Sequence, residues 1–128
     1  MPTASDGDRT DAMLTGHELA LQLVATKWSL PILVALSEGP VRRHRLKRRL
    51  RVINNDRLDA TLTRQLRWGL IEKVWIAGPR TDEPGYAITS LGASLLSAFE
   101  PVARWQVRHK SELVDKRRRW DQAHPASI

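Results

Sequence analysis

Apolar residues along the chain recur at spacings that change from helical to strand-like and back, and the changes mark out its elements. Leu14, Leu19, Leu21, Leu23 and Val24 predict an N-terminal helix from about Met13 to Ala25. The run from Trp28 to Leu36 predicts a buried helix that ends at Glu38-Gly39-Pro40. Pro31 is tolerated in its first turn, where no N–H is needed. Leu46 and Leu50, four apart, give a short helix one apolar face. After Arg51-Val52-Ile53, Asn54 suits an N-cap, and Leu58, Leu62 and Leu66 predict a second amphipathic helix ending near Gly69. Two short helices joined by a tight turn make a helix-turn-helix. Leu70 to Ile76 then alternates as a strand does. Ala77 to Gly85 holds two prolines and two glycines, and Tyr86 to Thr89 returns as a second strand, so the pair predicts a hairpin wing. From Ser90 onward, Leu91, Leu95, Leu96, Phe99, Val102 and Trp105 are again spaced for a helix, interrupted or bent at Pro101. The expected class is mainly α with a small β-hairpin wing: a winged helix-turn-helix with extra N- and C-terminal helices suited to dimerisation.

A chain of 128 residues is long enough for one domain with a real core and short for two. Residues 1–12, small and polar, are expected to be a flexible N-terminus, 13–110 the winged domain with its dimerisation helices, and 111–128 a basic helical extension and tail. No internal repeat is visible. More apolar surface is carried by Leu14, Leu19 and Leu23 at one end, and by Phe99, Val102 and Trp105 at the other, than one small core hides, which predicts a homodimer through both ends.

Charge sharpens this picture. The formal net charge is +7, and residues 42–51 alone hold seven Lys or Arg, one His and two Leu. Like charges crowded on one short helix repel one another, so the block asks for a polyanionic partner. Residues 1–26 are acidic by contrast, and Lys116 to Arg119 form a second basic run. The chain has no cysteine, which excludes a disulfide, a thiol switch and a thiolate metal site. His17, His44, His109 and His124 show no ligand spacing, so no metal and no cofactor are expected. Ser90, Ser94 and Ser97 lack a recognisable base, and there is no Gly-rich phosphate loop, so an enzyme is rejected. The N-terminus has no apolar signal core, and the longest apolar run, Leu30 to Leu36, is far short of the roughly 20 residues that span a bilayer. A cytoplasmic protein without a membrane partner is expected. Trp28, Trp75 and Trp105 fall at apolar positions and are expected in the core.

Lys27-Trp28, Ile32-Leu33, Leu36, Gly39-Pro40, Arg42, Leu46, Ile53-Asn54, Leu58, Leu62, Gly69-Leu70-Ile71, Tyr86, Thr89, Gly92, Leu95 and Trp105 follow one another in an order that resembles the HxlR family of bacterial winged-helix transcription regulators. The resemblance covers about residues 20–108 and rests on the combination KW, GP, GLI and Y-x-x-T-x-x-G. It implies a homodimeric regulator of transcription, with the second helix of the helix-turn-helix in the major groove and the wing beside the backbone. There are departures. Arg42-Arg43-His44-Arg45 stands where the family pattern has Arg-Phe and then Glu, which strengthens phosphate contact and weakens local packing. Gln65 replaces an expected leucine and leaves that half of the helix less well anchored. Many members carry an N-terminal cysteine that this chain lacks.

In such an arrangement the first helix lies across the sugar-phosphate backbone and the second reads bases. Arg42, Arg43, Arg45, Lys47 and Arg48 are the expected phosphate contacts. Asn54, Asn55, Arg57, Thr61, Arg64 and Arg67 are the residues of the reading helix expected at DNA, with Arg80 in the wing; Arg suits guanine and Asn suits adenine. The partner is therefore double-stranded DNA, and the reading is a sequence-specific regulator, most simply a repressor. A nonspecific basic DNA-coating protein and a winged-helix protein-interaction module are the alternatives. A small-molecule effector, if one exists, is expected between the dimer helices near Trp28, Phe99 and Trp105.

Overall fold

The computed structural model describes residues 19–126, so Leu14, His17 and the expected flexible N-terminus lie outside the described residues. A helical stretch over residues 19–24 (α1) leads to α2 (Ser29–Ala35), β1 (Val41–Arg42), α3 (Arg43–Arg49), α4 (Asn55–Arg67), β2 (Ile71–Ile76), β3 (Glu83–Ile88) and α5 (Ser90–Ala123). The chain divides into two units, one ending at Leu96 and one beginning at Ser97.

The first unit is a winged helix-turn-helix. Its core joins Ile32, Leu33 and Leu36 from α2 and its end, Leu46 from α3, Ile53 from the turn, Leu58 and Leu62 from α4, and Val41, Leu70 and Ile71 from the sheet region. Burial of these side chains holds α3 in place despite its charge, since Leu46 is wholly buried while the cations around it reach outward. α4 has the sharpest ends. Asn54 Oδ1 accepts the Arg57 backbone N–H at 2.8 Å, a full N-cap. At the other end Gly69, with φ +72°, lets the Leu70 N–H reach the Gln65 carbonyl and the Gly69 N–H reach the Leu66 carbonyl, so the last carbonyls are satisfied as the chain turns.

The wing is a three-stranded antiparallel sheet in the order β1-β3-β2, where the sequence predicted a two-stranded hairpin. The added strand pairs Val41 with Tyr86 and Arg42 with Gly85. Gly85 makes room for it: a Cβ there would overlap the Ile76 side chain and crowd the Val41 carbonyl. β3 also starts earlier than expected, at Glu83, so Pro84 pairs with Trp75 and the connecting loop shortens to residues 77–82. Trp75 is not in the core. It lies on the far half of β2 and is 74% exposed, because the sheet runs beyond the helices that cover its near half.

Thr89 fastens the last helix to this unit. Its hydroxyl accepts the Gly92 N–H at 3.1 Å as the N-cap of α5 and donates toward the Gly69 and Leu70 carbonyls, at 2.6 and 3.0 Å. Gly92 lies so close to the Leu70 carbonyl oxygen that a Cβ would overlap it.

α5 is continuous through Pro101, so the proline does not interrupt the helix. In the second unit it exposes Val102, Trp105, Val107, Leu113 and Trp120, so Trp105 is also outside a core. Trp105 stacks on His109 and Trp120 on His124, at centroid distances of 4.6 and 3.6 Å. Residues 111–123 continue the same helix. Among the described residues no helix is long and apolar enough to cross a membrane.

Candidate nucleic-acid interface

The basic block is partly tied down by the protein itself. Arg42 Nε lies 2.6 Å from Glu83 Oε2, and its Nη2 donates to the Ala77 carbonyl at 2.7 Å, which fixes it to the wing. Arg43 donates two hydrogen bonds to Asp59 Oδ1, at 3.1 and 2.7 Å, bridging α3 to α4. Lys47 donates to the Ile53 carbonyl, and Arg49 Nη1 donates to the Ala35 carbonyl at 2.9 Å. The two ion pairs cancel charge; the bonds from Lys47 and Arg49 orient charge without cancelling it. Arg45, Arg48 and Arg51 are exposed and have no carboxylate or carbonyl partner among the described residues. They are the cations of this block most available to an external anion. Arg51 was not among the expected contacts, although it closes the same basic run.

α4 presents Asn55, Asp56, Arg57, Asp59, Ala60, Thr63, Arg64 and Arg67 to solvent. Asn55 and Arg57 stand in its first turn, the part of a second helix that meets base edges when the helix enters a major groove end-on. Asn54 is also exposed, with its oxygen engaged as the cap. Thr61 is placed differently from the expectation. It is only 7% exposed, and its hydroxyl donates to the Arg57 carbonyl at 2.8 Å, so it faces the core side of α4. Gln65 reverses an expectation too. It is 1% exposed, and its Nε2 donates to the Ser29 carbonyl at 2.7 Å, anchoring the C-terminal half of α4 to α2. Buried positions 58, 61, 62 and 65 follow one helical stripe, a spacing that could have revealed both polar residues.

Arg80 lies in the loop of the wing and is exposed, as is Lys73 on β2. Of the residues expected at a dimer contact, Leu19 is exposed and Leu23 packs against the core of the first unit. Phe99, half-buried, belongs with exposed Val102 and Trp105 to the second unit. Trp28 packs against the first unit's core, with Lys27 Nζ 5.2 Å from its ring centroid.

Several solved structures share this architecture. Among solved structures, a protein described as a transcriptional regulator of the MarR family from Enterococcus faecalis V583 aligns with a TM-score of 0.68 at 22% identity, over 90% of this chain and 97% of its own. The reduced form of the transcriptional regulator YodB from B. subtilis gives 0.63 at 18%, over 81% and 92%. The redox regulator HypR in its reduced form gives 0.69 at 17%, over 78% and 98%. At these identities the likeness is one of fold. No curated protein matches the chain. The model of the HxlR-like helix-turn-helix family matches residues 23–115, from α1 through most of α5. By that match the chain belongs to the HxlR-like helix-turn-helix family and is a DNA-binding transcriptional regulator.

Proposed function

We propose that the protein binds a specific duplex DNA site as a homodimer and represses transcription by occupying it. The observation that carries this reading is the exposed first turn of α4, with Asn55 and Arg57, set beside the unpartnered Arg45, Arg48 and Arg51. One surface thereby combines groups that read base edges with groups that hold phosphates. Arg80 and Lys73 would meet the backbone from the wing. Repression follows directly from occupancy, since DNA covered by a bound dimer is withheld from polymerase. The chain is expected to work in the cytoplasm, where such DNA is accessible.

Control by thiol oxidation, suggested by the names of the reduced and oxidised regulators that share the fold, is closed to these 128 residues because none is cysteine. A noncovalent ligand, a partner protein or the level of expression would then carry control.

Footprinting on the DNA upstream of the protein's own gene tests the reading. Protection of two equivalent half-sites about one helical turn apart is expected. Uniform protection of any duplex would favour a DNA-coating protein, and no protection a protein-interaction module.

A further inference from the structure

The outward face of α4 is not a plain convex surface. Gln22 from α1 and Ala60, Thr63, Arg64, Arg67 and Trp68 from α4 and its end line a solvent-open cavity of about 630 Å³. That volume falls in the range of about 300–1,000 Å³ common for small-molecule sites. Its chemistry is specific. Two guanidiniums one helical turn apart offer paired donors to a single anionic head group. Trp68, at the end of the same helix and 44% exposed, offers a flat ring against which a planar group can stack. Gln22 and Thr63 add neutral hydrogen-bonding groups. The one acid in the lining, Asp59, already receives Arg43, so its repulsion of an incoming anion is reduced.

We infer that this cavity is a binding site for a small planar organic anion, with its acid group between Arg64 and Arg67 and its ring against Trp68. The inference rests on the proposed DNA-reading role of α4 for its consequence, though not for the binding itself. Arg64 and Arg67 cannot pair with DNA while they hold a ligand anion, so ligand and DNA compete for the same guanidiniums. The site lies wholly within the first unit, and α1 contributes to it directly. A ligand that draws α1 closer to α4 would also narrow the face offered to the groove.

Benzoate is a suitable probe, with benzamide as its uncharged control and tryptophan fluorescence as the readout. Benzoate should quench the full-length protein saturably and benzamide should not, with the quench lost in Trp68→Phe. In Arg64→Gln and Arg67→Gln, both changes at exposed positions, apparent affinity should fall by about tenfold or more. Saturating benzoate should also release a fluorescent duplex bearing the footprinted site. Absence of a saturable quench, equal binding of benzamide, or undiminished binding by both arginine variants would overturn the site. Binding of benzoate without any loss of DNA affinity would overturn the competition. A protein that binds benzoate as described yet never binds duplex DNA would leave the site standing and remove the proposed function instead.

Discussion

Asp59 places a carboxylate on the helix that is expected to meet a polyanion, and Arg43 answers it across the helix-turn-helix at 2.7 Å. Both side chains are substantially exposed, at 40% and 60%, so the pair contributes at most about 1 kcal/mol to stability. Its larger effect is on binding. Asp59→Ala should free Arg43 and remove a repulsive charge, tightening nonspecific duplex binding and steepening the slope of log K against log salt by about one unit. Anisotropy titrations at several salt concentrations measure this; an unchanged or shallower slope would show that Arg43 does not face DNA. Arg48→Ala should act oppositely, making that slope shallower by about one unit and weakening all sequences alike. Arg57→Ala should instead erase preference at particular base pairs, by roughly 1–3 kcal/mol, read from binding to a set of singly altered sites. Variants that exchanged these two behaviours would mean that the reading helix has been misassigned. Which cations are free was not legible in the sequence. The partners of Arg42, Arg43 and Arg49 lie 35, 16 and 14 residues away, and only the fold brings them together.

α4 was the most legible element, because cap, apolar spacing and terminal glycine agree on one segment, Asn55–Arg67. Replacing Asn54 with Ala should therefore cost about 1 kcal/mol, measured as a lower midpoint in thermal or urea unfolding. A change within error would show that the Asn54 side chain does not cap in solution. Gln65 offers a second test on the same helix. Its Oε1 is buried without a donor while its Nε2 is bonded, so a leucine there loses one hydrogen bond and relieves one unpaired oxygen. Gln65→Leu should keep stability within about 1.5 kcal/mol of the parent. Gln65→Ala, which leaves a cavity, should be clearly less stable in the same unfolding experiment. An alanine variant as stable as the leucine one would mean that the site collapses around the missing volume. β1 was invisible to pattern reading, since two residues cannot display an alternation and the second of them, Arg42, opens the stretch read for its charge. Trp75 misled for a related reason: alternation tells which residues share a face of a strand, and only the neighbouring layer decides how much of that face is covered.

For the molecule as a whole, the second unit poses the main energetic question. Val102, Trp105, Leu113 and Trp120 are each about half exposed or more, and at 3.6 residues per turn they share one side of α5. A stripe of that kind is costly to leave in water, and a second copy of the same helix would cover it. Light scattering should give twice the chain mass at micromolar concentration, and Trp105→Glu should move the protein toward monomer while the melting of the winged unit persists. A parent protein that scatters as a monomer would leave the stripe without an occupant and the half-site expectation without a basis. The general plan of this molecule was readable because each element carries its own periodicity and stops. What each surface meets was less so, as burial is decided between elements far apart in the chain. Among the contacts that decide it, the first turn of α5 against the Leu70 carbonyl is the least forgiving. Under random mutagenesis with selection for folding, codon 92 should return glycine alone, while the exposed neighbours Ala93 and Ser94 accumulate many alternatives, so one silent-looking position would record more selection than the whole charged surface of α3.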